Sequence, residues 1–221
     1  MILDMDSTLI QLDFDNTLTI GNVSELIHDQ FGPQNWNDVY DDYVNDLISV
    51  EESNIFSFKN LNVSKYDLDT FVKLNVKFRE GVLDFFVHLN KLKLDYVIVS
   101  SGVDFYIHSA LSSIGIDPNL INIVSGKSDF NSNGISIKYL NPNNRDITRN
   151  FKESYTEYYK NSYSNIIYFG DSDTDIKPAL MSNIVFATFE LDRYLNNNKI
   201  EHYSFNDFYD VLKIFKSKLN L

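Results

Sequence analysis

The chain has 221 residues, no cysteine, and 31 acidic against 19 basic residues, for a net charge of −12 at pH 7. That length can bury a substantial core, and the absence of cysteine excludes disulfides and thiolate metal sites. The acidic balance opposes nucleic acid, which needs a basic footprint, and no apolar run reaches the roughly 20 residues of a membrane-spanning helix.

The N-terminus lacks the basic flank and apolar core of a signal peptide, so a soluble, cytoplasmic protein is expected. The first strand-like run leads into Leu12-Asp13-Phe14-Asp15-Asn16-Thr17. An upstream echo, Asp4-Met5-Asp6-Ser7-Thr8, repeats the D-x-D-x-T pattern. Only Met1, Ile2 and Leu3 precede Asp4, too few for a buried strand, so Asp13 and Asp15 are the selected pair. A short helix over 24–31 follows, with Ser24 as its cap.

From 21 to 76 the apolar residues keep helical spacing, as in Val39, Tyr43, Leu47 and Ile48, then Leu68, Phe71 and Val72. This predicts a helical insertion. A helix over 80–93 carries the stripe Val82, Phe85, Phe86, Leu89 and Leu92. It runs into a strand over 96–100 that ends in Ser100-Ser101-Gly102. Asp104 is expected to cap the next helix.

A strand over 121–124 and a polar hairpin tipped by Asn131-Ser132-Asn133-Gly134 come next, then a helix over 146–159. The apolar run Ile166-Ile167-Tyr168-Phe169 ends in Gly170-Asp171-Ser172-Asp173-Thr174-Asp175. A strand over 184–186 and a helix over 206–219 complete the pattern. This order predicts an α/β fold: a doubly wound, parallel, Rossmann-like sheet with a small helical cap inserted after the first strand. The core would be 1–20 with 77–221, and the cap 21–76.

In such a sheet ligands bind beyond the carboxyl ends of the strands, so the three strand ends carrying hydroxyl and acidic residues are expected to converge. Paired aspartates on a strand-end loop suit nucleophilic attack by one carboxylate and proton transfer by the other. Five aspartates, Asp13, Asp15, Asp171, Asp173 and Asp175, cannot all stay ionised in one cleft without a cation, and Mg²⁺ is the natural one for phosphate chemistry. The four histidines, His28, His88, His108 and His202, are scattered and read as packing or surface residues.

The order D-x-D, then Ser/Thr, then the acidic G-D-x-x-x-D resembles the haloacid dehalogenase-like hydrolases over nearly the whole chain, within them the phosphoserine phosphatase-like group. Arg79-Glu80-Gly81, Val103-Asp104-Phe105-Tyr106, the segment 31–36 and Asn206-Asp207-Phe208-Tyr209 are similar to the methionine-salvage phosphatases acting on 2-hydroxy-3-keto-5-methylthiopentenyl-1-phosphate. The resemblance implies a Mg²⁺-dependent phosphatase acting on a small phosphorylated metabolite, as a monomer or homodimer.

It implies Asp13 as nucleophile and Asp15 as acid/base. Ser100, Ser101 and Gly102 would hold phosphate oxygens, and Asp13, Asp171 and the Asp15 carbonyl the metal. Asp175 would hold a metal-bound water or orient its motif, and Asp173 would face solvent. The family also needs a cation between the second and fourth motifs. Arg145 is assigned that place, with Lys152 and Arg149 next. The cysteine-rich segment of the salvage enzymes is missing, and Asn22 stands where phosphoserine phosphatases carry a substrate-binding Glu, which disfavours phosphoserine. A catalytically silent relative that binds a phosphorylated metabolite or a protein partner is the alternative.

Overall fold

The computed structural model describes residues 4–33, 36–131 and 134–219. Ser132 and Asn133 of the expected hairpin tip, Gln34 and Asn35 of the 31–36 segment, and Met1 to Leu3 lie outside these residues. The chain opens with a 3-10 turn at Met5–Ser7 and strand β1 at Thr8–Leu12, followed by the short β2 at Thr19–Ile20. Helices α1 (Val23–Phe31), α2 (Trp36–Val44), α3 (Val50–Lys59) and α4 (Lys65–Asn75) precede β3 (Lys77–Phe78). Then come α5 (Val82–Leu92), β4 (Asp95–Val103), α6 (Asp104–Ser113), β5 (Asn122–Asn131) and β6 (Gly134–Lys138). The remainder is α7 (Phe151–Tyr159), β7 (Asn165–Gly170), α8 (Ile176–Leu180), β8 (Ile184–Ala187), α9 (Phe189–Asn197), β9 (Tyr203–Ser204) and α10 (Phe208–Ile214).

Seven strands form one sheet in the order β6-β5-β4-β1-β7-β8-β9. Every pairing is parallel except β5 with β6. The expected α/β doubly wound sheet is therefore present. β1 is buried at all five positions, as a central strand covered on both faces must be. The chain builds outward from β1 on one side through β4 and β5, then returns to β7 on the other. The crevice at this switch in direction opens at the C-terminal ends of β1, β4 and β7.

The core is aromatic. Phe169 of β7 stacks on Phe186 of β8 with ring centroids 4.6 Å apart, and both are fully buried. Truncating such a residue to Ala costs about 3–5 kcal/mol. The pair β2–β3 is antiparallel, with Thr19 opposite Phe78 and Ile20 opposite Lys77, and it closes the base of the four-helix insertion. Within the insertion, α3 packs on β6 and α4 on α6.

Three local expectations are corrected. Asn22, not Ser24, caps α1, accepting the Glu25 N–H at 3.2 Å. Asp104 is the first residue of α6 and turns its carboxylate to Ser128, taking the backbone N–H at 3.0 Å and the hydroxyl at 2.6 Å. The helix expected from 146 begins only at Phe151, because Asn150 adopts a left-handed φ of 60° and Leu140 bridges Asp146 in the loop before it.

Candidate active site

β1 delivers Asp13 to the crevice. Its backbone N–H continues the sheet by donating to Phe169 O at 3.0 Å, so the carboxylate is anchored to the central strand. Thr17 Oγ1 donates to Asp13 Oδ2 at 2.9 Å, and Lys152 Nζ lies 2.8 Å from Oδ1. The turn between them brings Asp15 to the same cleft. Its Oδ1 accepts the Val23 N–H at 2.7 Å, and its Oδ2 accepts Tyr106 Oη–H at 2.8 Å. Asp4 and Asp6 are exposed in the turn that precedes β1, at the opposite end of the strand.

β4 contributes Ser100, Ser101 and Gly102. Ser100 Oγ accepts the Gly102 N–H at 3.0 Å, which leaves the Ser100 hydroxyl proton free for a ligand. The Gly102 N–H, expected to face a phosphate, is engaged instead with Ser100. Ser101 Oγ is buried without a partner among the described residues. Gly102 is required by close approach, since a Cβ there would lie 2.1 Å from Tyr106 Oη and 2.8 Å from Asp15 Oδ2.

β7 ends at Asp171. Asp175 is fully buried and saturated: Oδ1 accepts from Lys152 Nζ at 2.7 Å and from Tyr168 Oη, and Oδ2 from Ser172 N and Oγ, each at 3.0 Å, and Asp171 N at 3.2 Å. It orients Lys152 and the 171–175 turn and has little capacity left for an ion. Asp173 does not simply face solvent, because Tyr43 Oη of α2 donates to its Oδ1 at 3.1 Å.

The cation at this site is Lys152, and the assignment of Arg145 is corrected. Lys152 is 5% exposed and bridges Asp13 and Asp175. Arg145 is exposed in the preceding loop, and Arg149 pairs with Glu52 at 3.3 Å on the surface. Long-range contacts set this geometry. Glu51 Oε1 accepts the Phe151 N–H at 3.0 Å, and Ser49 Oγ donates to Thr148 O, so the N-terminus of α3 fastens the N-terminus of α7.

The electrostatics follow from burial. Burial raises Asp13 above the usual carboxylate range against the pull of Lys152. Burial, aided by the charges of Asp13 and Asp175, raises Asp171 well above it. Burial also opposes ionisation of Asp175, but Lys152, Tyr168 and Ser172 outweigh it and hold this carboxyl low. Burial would lower Lys152, yet Asp13, Asp175 and Asp171 keep its ammonium charged. Asp15 is pushed up to about 7, mainly by burial and with help from the Asp13 charge.

Oxygens of Asp13, Asp171 and Asp175 lie within 4.8 Å of one another. Three buried carboxylates against one ammonium leave an excess of negative charge. An all-oxygen donor set carrying excess negative charge fits a hard divalent cation. Asp13 and Asp171, whose oxygens retain free lone pairs, would hold it directly.

Asp13, Asp15 and Asp171 face a cavity of about 580 Å³. Its floor is formed by Asp13, Asp15, Ser100, Ser101, Lys152 and Asp171. Its walls come largely from the insertion, with Glu25, His28, Trp36, Tyr40 and Tyr43, and from Phe189, Glu190 and Arg193 of α9.

Residues 55–217 match the pyrimidine 5′-nucleotidase (UMPH-1) family. The chain belongs to this family. It is a haloacid dehalogenase-type phosphatase, a phosphoric monoester hydrolase. The matched span contains Ser100, Lys152, Asp171 and Asp175, while Asp13 and Asp15 precede it.

A 2-hydroxy-3-keto-5-methylthiopentenyl-1-phosphate phosphatase of Bacillus velezensis is 29% identical over 207 residues, covering 92% of this chain and 87% of that protein. The bifunctional enzyme MtnB/MtnX of Bacillus licheniformis is 29% identical over 217 residues, covering 96% of this chain and half of the other. Among solved structures, a haloacid dehalogenase family hydrolase of Salmonella enterica superposes with a TM-score of 0.71 at 15% identity, covering 96% of this chain and 72% of that one. Cytosolic 5′-nucleotidase IIIB bound to cytidine gives 0.67 at 17% identity, covering 97% and 86%. At such identities these likenesses speak for the fold. No helix among the described residues is long and apolar enough to cross a membrane.

Proposed function

We propose that the protein is a Mg²⁺-dependent phosphatase that hydrolyses a small-molecule phosphate monoester through a phosphorylated Asp13. The observation that carries this reading is the buried Asp13–Lys152–Asp175 bridge beside Asp15, at the C-terminal end of the central strand. An Asp13 oxygen attacks phosphorus as the ester P–O bond breaks, and Asp15 gives its proton to the departing alkoxide. Water then attacks the same phosphorus, returns a proton to Asp15 and releases phosphate from Asp13. A carboxyl raised to about 7 is suited to both transfers near neutral pH.

Lys152 and the Ser100 hydroxyl would bind non-bridging phosphate oxygens, and Ser101 Oγ offers a further donor. A bound Mg²⁺ would neutralise phosphate charge as it develops in the transition state. Lys152 supplies the cation that the silent-relative alternative lacks, so the catalytic reading is favoured.

The segment 21–76 is the proposed cap, and its walls point to the leaving group. Glu25, Glu190 and Asp173 line that half of the cavity, and Arg193, its one cation among the lining residues, pairs with Glu190 at 3.1 Å. Such a surface suits an uncharged leaving group rather than a carboxylate-bearing one. The keto-sugar phosphate named for the Bacillus relatives is therefore the first physiological candidate, ahead of phosphoserine. The test is phosphate release from an aryl phosphate, with and without Mg²⁺, by the wild type and Asp13→Asn. Turnover that needs Mg²⁺ and falls by at least about 10³-fold in the variant is expected. Well-folded wild type without turnover would overturn the reading.

A further inference from the structure

Arg79 has no place in the chemistry above and does not line the cavity, yet both of the non-glycine residues at the cavity with positive φ lean on it. Asn16, with φ 55°, lies on the loop that carries Asp13 and Asp15, and Phe189, with φ 46°, stands at the mouth of the cavity. Left-handed backbone is tolerated by asparagine but is an outlier for an aromatic residue, and such outliers persist only where surrounding structure imposes them.

The guanidinium contacts both. Nη2 donates to Asn16 O at 2.7 Å, and Nε is shared between Asn16 O at 3.2 Å and Thr17 O at 3.1 Å. Nη1 donates to Asn206 O at 2.7 Å. The same planar group lies 5.1 Å from the Phe189 ring centroid and 5.7 Å from that of Phe205.

The support beneath Arg79 is rigid. Its backbone N–H donates to Leu18 O at 2.9 Å, and Phe208 N–H donates to Glu80 O at 2.8 Å. Gly81 turns the chain at φ 80°, where a Cβ would meet Tyr209 N at 2.9 Å. No carboxylate among the described residues forms an ion pair with Arg79. Its charge is directed instead at the carbonyls behind the nucleophile loop, with Asp171 and Asp207 acting on it through space.

We infer that Arg79 is a positioning residue: its fork holds the Asn16–Thr17 turn, and thereby Asp13 and Asp15, in register with Phe189 at the cavity mouth. This inference rests on the proposed phosphatase function for its kinetic consequences, but not for its structural one. A guanidinium is needed because only a planar fork reaches two loop carbonyls, a third carbonyl at Asn206 and two ring faces together; an ammonium cannot.

The test compares wild type, Arg79→Lys and Arg79→Ala with an aryl phosphate and Mg²⁺, alongside amide hydrogen exchange of residues 14–21. Arg79→Lys is expected to lose about 10- to 100-fold in kcat with KM nearly unchanged, the size of effect a misplaced reacting group produces. Millimolar guanidinium, but not methylammonium at the same concentration, should recover part of the activity of Arg79→Ala. Exchange over 14–21 should accelerate in both variants while the thermal midpoint of Arg79→Lys stays near that of wild type.

Phe189→Gly, whose backbone is at ease at this φ, should act instead through KM. Equal kcat for Arg79→Lys and wild type, or rescue by methylammonium as strong as by guanidinium, would overturn the inference. If the wild type shows no turnover, the proposed function fails separately, and unchanged exchange over 14–21 would then overturn the role of Arg79 by itself.

Discussion

The two halves of the cavity are built on different principles. On the floor, Asp13, Asp15 and Lys152, with Asp175 buried beneath them, each satisfy two or more specific partners, and each hangs from the end of a central strand or the start of a helix. On the walls, His28, Trp36, Tyr40 and Tyr43 meet mainly edge-to-ring, with centroids 5.4–6.1 Å apart. Among the described residues the hydrogen bond from α2 to the acidic turn, Tyr43 to Asp173, is exposed. Buried, mutually satisfied charges allow one arrangement only, because any displacement strands a charge. The half-buried rings of Trp36, Tyr40 and Tyr43 carry no such charge and can repack at less cost. The fixed half therefore suits the shared phosphate, and the adaptable half the leaving group that differs between substrates.

Breaking the fixed half should have the largest effect. Lys152→Met strands Asp13 and Asp175 without their counter-charge, and a loss of about 3–5 kcal/mol in urea unfolding is expected, together with loss of turnover. Arg145→Ala, by contrast, should stay within about 0.5 kcal/mol of wild type. A stable, active Lys152→Met would mean that the buried bridge is not the organising feature of the floor.

Next, Asp15→Asn should reduce turnover by about 10²- to 10⁴-fold through lost proton transfer, while calorimetry finds Mg²⁺ affinity nearly intact. Parallel loss of both would make Asp15 a structural ligand.

A finer probe is pH. Asp15 must carry its proton to act as acid, so activity toward alkyl phosphates should fall as pH rises through about 7. Tyr106 donates to the ionised carboxylate and so favours ionisation. Tyr106→Phe should move that alkaline limb to higher pH, and a downward shift would reverse the assigned sign.

The smallest effect belongs to the walls. Tyr43→Phe removes one exposed hydrogen bond worth about 0.5–1 kcal/mol, a roughly two- to fivefold change in KM at constant kcat. A collapse of kcat would show that α2 belongs to the rigid half after all.

The sequence alone determined the sheet and much of the floor. Strand periodicity, and small, hydroxyl or acidic residues at the ends of β1, β4 and β7, are local properties, and a doubly wound sheet can only gather those ends at one edge. That is why Asp13, Asp15, Ser100 and Asp171 were legible as a group. Lys152 was read only as second to Arg145, because its place depends on where α7 starts. That start is set by Glu51 and Ser49, about a hundred residues earlier in the chain, which cap and fasten the 148–151 segment. The link from Tyr43 to Asp173 and the fork of Arg79 are likewise contacts across distant segments. No periodicity records them, since hydrogen-bond partners far apart in sequence meet only when helices and strands have packed. Tertiary structure alone decided which cation closes the site and what stands behind the nucleophile loop.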